Sequence, residues 1–292
     1  MARPALLIVN PSAGGGRTGR LLSAVSSALH SHGMEHRVLL TTDLPHARRL
    51  ATEAATGGEV AVAFGGDGLV GAVAGALTGT DGVLGILPGG RGNDLARVLG
   101  IGQDPVAACA VLARGHERPL DLGEVEGRFF VGIASCGFDS EANRIANQTR
   151  LVRGNLVYLY GALAALARWR PARFELTLDG RTRTVVGYSV GAANSKAYGG
   201  GMFAAPDAEL DDGMLDVVTV SEVSKRRFLL QVLPKVFKGT HVENPEVSVH
   251  RAAEVEIVAD RPFTLYADGD PIAELPATVR ARHAAVRVLA PG

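Results

Sequence analysis

Cysteine is scarce in this chain. Cys109 and Cys136 are its only two cysteines in 292 residues. They build no disulfide framework, and neither sits in a metal-binding spacing, so a reducing cytoplasm fits. An excess of one charge is also lacking. Thirty Lys+Arg balance thirty Asp+Glu, so no global positive field draws the protein to nucleic acid, which is not an expected partner. No segment approaches the roughly 20 apolar residues that a membrane span needs. The apolar part of Met1–Asn10 is too short for a secretion signal. A membrane, if met, is met from the side, as a peripheral visitor. A homodimer is left open. What the chain does have is hydrophobic content, 47%, enough for one or two domains with real cores.

The first 115 residues alternate strand and helix. Strands are expected at Ala5–Val9, Arg37–Leu40, Glu59–Phe64 and Val83–Leu87. Helices are expected at Thr18–His32, Pro45–Thr56, Val70–Leu77, Asn93–Leu99 and Pro105–Arg114. Such alternation predicts a parallel sheet covered on both faces, with ligands beyond the strands' carboxyl ends. After Pro119 the segments become short, alternating and β-branched. Examples are Phe129–Ile133, Phe174–Leu178, Thr184–Ala192, Leu215–Val220 and Phe263–Tyr266, several of them separated by Asp-Gly turns. This predicts an α/β fold with a second, antiparallel domain interrupted by helices at Ser140–Ala146 and Val157–Ala167, and by a third over Val223–Phe237. The change of pattern falls near residues 117–122, with no flexible tether. The expected division is 1–117 plus about 278–292 against 118–277.

Glycine marks the candidate sites. Gly65-Gly66-Asp67-Gly68 closes a buried strand with a turn that lets backbone N–H groups approach a polyanion and leaves one carboxylate for a metal ion or a hydrogen-bond network. The same turn is also what a helix capped by Asp67 needs. Asn10-Pro11-Ser12-Ala13-Gly14-Gly-Gly-Arg17 follows the first strand and suits a phosphate loop, though it has neither a Walker A lysine nor a dinucleotide spacing. Leu87-Pro-Gly-Gly90-Arg91-Gly-Asn93-Asp94 precedes a helix, where Asn93 or Asp94 also reads as an N-cap. Three such loops on one sheet edge, with two acids among them, are explained together by a phosphorylated ligand with magnesium. Further on, Pro206 to Asp216 is rich in acids and can supply carboxylates and carbonyls to a hard cation or simply form a capped turn. Tyr266-Ala-Asp268-Gly-Asp270-Pro271 is either a hairpin turn or the seat of a general base.

Taken in order, these motifs resemble the soluble diacylglycerol kinase family of lipid kinases, which reaches to sphingosine and ceramide kinases, from Asn10 to about residue 290. The resemblance implies a nucleotide-binding α/β domain, a β-sandwich domain, an active site between them, and a C-terminal strand that returns to the first domain. It implies ATP as co-substrate, Mg²⁺, and a lipid acceptor at the membrane surface. By position, Asn10, Pro11, Ser12, Ala13 and Gly14, then Thr41, then Gly65, Gly66, Asp67 and Gly68, then Gly90, Arg91, Asn93 and Asp94 match the nucleotide site. Asp121 matches an acid beside the active site. Glu209 and Met214 through their carbonyls, with the Asp212 side chain, match a metal site. Asp268 and Asp270, with Asp67, match the catalytic acids.

The chain departs from that pattern at Leu69, Gly71, Ala72 and Arg91, where the family usually has Thr, Asn, Glu and Thr. Two hydroxyls and a carboxylate are missing, and Arg91 either grips a phosphate or blocks the nucleotide. The expected activity is transfer of the γ-phosphate of ATP to a lipid hydroxyl. Its rivals are a kinase of a soluble substrate such as NAD, and a binding protein that has lost the activity. Apolar residues from Leu151 to Trp169, among Arg150, Arg153, Arg168 and Arg170, read either as an interfacial surface or as a core helix.

Overall fold

A computed structural model describes residues 3–148 and 156–292. The chain opens with β1 (Ala5–Val9), α1 (Ala13–Ser31), β2 (His36–Leu40), α2 (Leu44–Thr56), β3 (Val60–Gly65), α3 (Asp67–Leu77) and β4 (Val83–Pro88). The four strands are parallel in the order β2-β1-β3-β4. β1, β3 and β4 are buried along their whole length, as their unbroken apolar runs require when helices cover both faces. Asp43 caps α2 by accepting the His46 N–H at 2.7 Å, with Pro45 in the first turn. Two helices, α4 (Asp94–Val98) and α5 (Pro105–Arg114), close this part.

The chain continues through β5 (His116–Val125), β6 (Arg128–Phe130), β7 (Ile133–Gly137), α6 (Phe138–Gln148), α7 (Leu156–Arg168), β8 (Ala172–Leu178) and β9 (Arg181–Ala193). A short hairpin of β10 (Ala197–Tyr198) and β11 (Met202–Phe203) precedes β12 (Leu215–Ser221) and α8 (Lys225–Arg227). The last strands are β13 (Val247–Ala252), β14 (Glu254–Ala259), β15 (Thr264–Ala267), β16 (Asp270–Glu274) and β17 (Ala277–Ala290). Strands β16-β15-β7-β9-β8-β14-β17 run antiparallel to their neighbours, with β12 and β13 branching from β9.

The α/β class, the antiparallel second region and the returning C-terminal strand are all present. β17 pairs with β14 near its start and lies parallel to β4 near its end, at Arg287–Val83 and Val288–Leu84. It bends between Arg282 and Val286, where Ala284 has φ 48°. β5 follows it on both sides of that bend, so the change of pattern near 117–122 lies within one continuous strand.

Two expected elements are built differently. Phe129–Ile133 is broken at Val131-Gly132, because those N–H groups donate to the side chain of Asp268 instead of a strand. Val223–Phe237 is not one α-helix. After α8 it passes through a π turn (Phe228–Val232) and 3₁₀ turns (Leu233–Lys238, Thr240–Glu243). Aromatic packing explains its path: Phe228 stacks on Tyr188 at 4.1 Å and meets Phe138 edge-on at 4.8 Å. The stripe Leu151–Trp169 lies partly outside the described residues. Within them, Ala165, Leu166 and Trp169 are core, while Tyr160 and Leu163 are exposed.

Candidate active site

The three glycine-rich loops meet beyond the carboxyl ends of β1, β3 and β4. In the first, the Asn10 side chain accepts the Ser12 N–H at 3.1 Å, and Thr18 Oγ1 donates to the Asn10 carbonyl at 2.5 Å. Gly14, Gly15 and Gly16 have φ of 59°, 69° and 82°, so three successive residues turn left-handed before α1 becomes regular, a backbone shape able to gather N–H groups around an anion. The loops also pack on each other through bare backbone. The N–H groups of Gly89 and Gly90 donate to the Gly65 carbonyl at 2.7 and 3.0 Å. A Cβ on Gly90 would stand 2.5 Å from Gly66 Cα, and one on Gly14 would overlap the Gly89 carbonyl. These glycines are therefore required for loop–loop contact. Gly15 and Gly68 differ, since a methyl on either would meet nothing within 4 Å.

Neither acid of these loops acts as a helix cap. Gly66 is the N-cap of α3, and Asp67 Oδ1 instead accepts the Asp94 N–H at 2.7 Å. Asn93 precedes α4 in a left-handed conformation, and its side chain closes the third loop by bonding Gly90 N–H at 2.7 Å, Gly90 O at 3.1 Å and Gln103 at 2.9 Å. Asp94 is buried. Its Oδ2 accepts the Gly200 N–H from the β10–β11 hairpin at 2.8 Å, and Oδ1 has no hydrogen-bond partner among the described residues. Desolvation raises its carboxyl above the usual range against the pull of that N–H, and the neighbouring charge of Asp67 adds to the rise.

The third acid comes from the far end of the chain. Asp268, at the β15–β16 turn with φ 51°, accepts the N–H groups of Val131 (2.8 Å), Gly132 (2.9 Å) and Ile133 (3.2 Å). Desolvation, with a smaller contribution from the charge of Asp67, pushes it up to about 6 against those three donors. A Cβ on Gly71 of α3 would lie 3.7 Å from Asp268 Oδ2. Residues 67, 94 and 268 thus share one electrostatic site. Asp270 does not join it in the same way, being exposed at the start of β16. No group of three His, Cys, Asp or Glu with metal-ligand spacing exists among the described residues. A magnesium ion suits the site nonetheless as an ion held by one or two carboxylates plus substrate phosphates and water. Asp94 Oδ1, which accepts no hydrogen bond and has Arg97 Nε 3.9 Å away, is the observation that fits it.

Comparison with known proteins agrees with this architecture. Residues 4–125 match the diacylglycerol kinase catalytic domain, and residues 132–290 match the YegS C-terminal NAD kinase beta sandwich-like domain. A Mycobacterium tuberculosis protein named diacylglycerol kinase is 36% identical over 292 residues, covering 97% of this chain and 94% of its own. The chain belongs to the soluble diacylglycerol kinase family. A Pseudomonas aeruginosa protein named probable lipid kinase YegS-like is 36% identical over 198 residues, covering 66% of this chain and 65% of its own. A crystal structure of a Bacillus anthracis diacylglycerol kinase has the same fold, with a TM-score of 0.76 at 21% identity, covering 99% and 97% of the two chains.

Thr41 is buried and donates its hydroxyl to the Asp43 carbonyl at 2.7 Å, at the entry to α2. Arg91 is exposed on the third loop. Asp121 is fully buried, with its oxygens accepting N–H groups of Gly213 (2.5 Å) and Ala284 (2.6 Å) and lying 3.1 Å from His283 Nδ1. It staples β5, the acidic turn and the bend of β17. Asn194 Nδ2 donates to the backbone carbonyls of Asp121 and Val131, and the Val131 N–H in turn donates to Asp268. In the acidic turn, Asp212 accepts the Met214 N–H at 2.9 Å and is ion-paired with Arg251, so a cation bound there competes with that guanidinium. Glu209 is exposed. Asp216, which closes the acid-rich stretch, is buried and raised by desolvation, with Asp212, Asp207 and Glu209 adding to the rise against Arg251. Asp139, which no sequence motif marks, is pushed up to about 6 by desolvation. Asp139 lines a cavity of about 50 Å³ with Ser189, Tyr198, Phe228 and His241.

Proposed function

We propose that this chain is a lipid kinase that transfers the γ-phosphate of ATP to a hydroxyl of a diacylglycerol-like acceptor. The observation that carries the reading is the meeting of Asp268 with Asp67 and Asp94 across some 200 residues of sequence. Phosphoryl transfer asks a protein mainly for positioning and charge neutralisation. The N-terminus of α3 and the left-handed Gly14–Gly16 turn offer N–H groups to the phosphates. Asp67 and Asp94 would hold Mg²⁺, which when bound would supply positive charge to neutralise the phosphates. Asp268 takes the proton from the acceptor hydroxyl. A carboxyl near 6 that is braced by three N–H donors is poised for that role at neutral pH. The acceptor's apolar part goes to the cavity beside Asp139. At about 50 Å³ that space holds a few waters and must open to admit an acyl chain.

One observation favours a weaker enzyme or a binding protein. Leu69 and Ala72, where the family usually has Thr and Glu, are packed in the core and offer no polar group to a ligand. The experiment is incubation of the purified chain with Mg-ATP and, separately, diacylglycerol, sphingosine, phosphatidylglycerol and NAD. Labelled phosphate is expected in the solvent extract with a lipid and to be lost in Asp268→Asn. Label only in the aqueous product would give the site to a soluble acceptor, and nucleotide binding without turnover would give it to a binding protein.

A further inference from the structure

The irregular segment after β12 has two unlike sides. Phe228 and Val232 point inward and are buried, forming part of the wall of the Asp139 cavity. Leu230 and Phe237 are each 61% exposed. Leu230 joins Leu163, Leu166 and Leu229 in an open groove of about 360 Å³ between α7 and this segment. Cations outnumber acids there. Residues 223–242 hold Lys225, Arg226, Arg227, Lys235 and Lys238 and no acid, with exposed Glu222 and Glu243 flanking the stretch, and residues 160–170 hold Arg168 and Arg170 and no acid. Glu246 pairs with Arg227, and Lys225 and Lys235 donate to Ala167 O and Asn244 Oδ1. Arg168, Arg226 and Lys238 are exposed at the surface. In a chain of zero net charge this is a local patch in which exposed apolar side chains stand among cations.

We infer that the 225–238 segment, with the end of α7, is the face by which the protein docks on an anionic lipid bilayer. A second copy would bring the same cations onto themselves in a two-fold contact, and a neutral bilayer would leave them without a partner. An anionic bilayer satisfies both features, since the apolar side chains enter the headgroup boundary while the cations meet lipid phosphates. The inference rests on the lipid-kinase reading and extends it, because the inner side of the same segment walls the proposed acceptor cavity. Docking would therefore act on the element that must move for an acyl chain to enter.

Co-sedimentation of the full chain with vesicles of phosphatidylcholine, alone and with added phosphatidylglycerol, tests this. Binding is expected only to the anionic vesicles and is expected to weaken as salt rises. Arg226→Glu with Lys238→Glu should lower the partition about tenfold or more, and Leu230→Asp with Phe237→Asp should also abolish most of it. Phosphorylation of diacylglycerol dispersed in nonionic detergent should be unchanged in both pairs. If the wild type fails in detergent, the kinase reading falls while the vesicle result stands. Equal binding of the wild type to both vesicle types would overturn the docking face, as would undiminished binding by both double variants. A drop in molecular mass of the wild-type particle on Leu230→Asp with Phe237→Asp would also overturn it, and would give the face to a second copy.

Discussion

Glycines in a nucleotide loop can serve the ligand or the fold, and two alanine substitutions separate these roles. Gly90→Ala places Cβ 2.5 Å from Gly66 Cα and 3.0 Å from Asn93 Oδ1. Carbon atoms want about 3.5–4.0 Å, so the second and third loops must part by roughly an ångström. That strains the Gly90 N–H bonds to Gly65 O and Asn93 Oδ1. Overpacking costs about 1–3 kcal/mol and a weakened buried hydrogen bond about 1 kcal/mol. A loss of about 2–4 kcal/mol is expected, or roughly 5–10 °C in Tm for a chain of this size. Gly68→Ala meets nothing within 4 Å and sits in the first turn of α3, so helix propensity leaves stability equal or up to about 1 kcal/mol higher. The methyl stands in the open space offered to phosphate. Thermal unfolding with and without saturating Mg-ATP reads both effects. Nucleotide at a hundredfold excess over Kd stabilises the wild type by about 2.7 kcal/mol. Gly68→Ala is expected to keep its Tm and lose that shift. A full shift in Gly68→Ala would refute the phosphate seat at α3, and a wild-type Tm in Gly90→Ala would refute the packing argument.

Asp268→Asn is expected to lower kcat about 10²–10⁴-fold, the usual worth of a general base, in the lipid phosphorylation assay. The Asp268 carboxyl is raised to about 6 in the folded state, so the rate should climb with pH through that value. The stability contribution has the opposite sign: it is present below the unfolded value near 3.9 and lost as pH rises to about 6, and urea titrations of Asp268→Asn should show a flatter profile over that window. Arg91→Ala should raise the nucleotide KM about tenfold with little change in kcat if the guanidinium grips a phosphate; a lower KM would mean that Arg91 obstructs the nucleotide. Phe228→Ala should cost about 3–5 kcal/mol in chemical denaturation, because the ring is 3% exposed and stacked on Tyr188.

The parallel sheet was legible because β1, β3 and β4 are uninterrupted apolar runs, closed by Asn10-Pro11, Gly65 and Pro88, and such runs have one stable environment. The acids at 67, 94 and 268 were legible as motifs, but their partners were not. That Asp67 bonds the Asp94 N–H and not its own helix follows from Asn93 turning left-handed, which is set by loop packing from three strands. The break of β6 from β7 was hidden for a similar reason, since the N–H groups of Val131 and Gly132 find a carboxylate 136 or more residues away. Local pattern cannot report a side chain that replaces a strand neighbour. Periodicity also cannot distinguish α from π geometry, and Val223–Phe237 keeps an apolar rhythm while Phe228 follows the aromatic cluster.

The departures at 69, 71 and 72 have a common physical direction. Leu69 packs against Gly65, where a Cβ would lie 2.7 Å from its Cδ2, and Ala72 is 4% exposed. Gly71 leaves open the space facing Asp268 Oδ2. Each position that the family pattern makes polar is filled here by packing or left as room, so on the proposed function ligand contact would fall on backbone N–H groups, on the three carboxylates and on Arg91. Backbone donors cannot be lost by drift in side chains, whereas desolvation raises the Asp94 and Asp268 carboxyls and repulsion from Asp67 adds to both rises. That repulsion is relieved by a bound cation or by a guanidinium brought in with the nucleotide. Arg91, exposed on the loop that also carries Asp94, stands where the second kind of relief can be supplied.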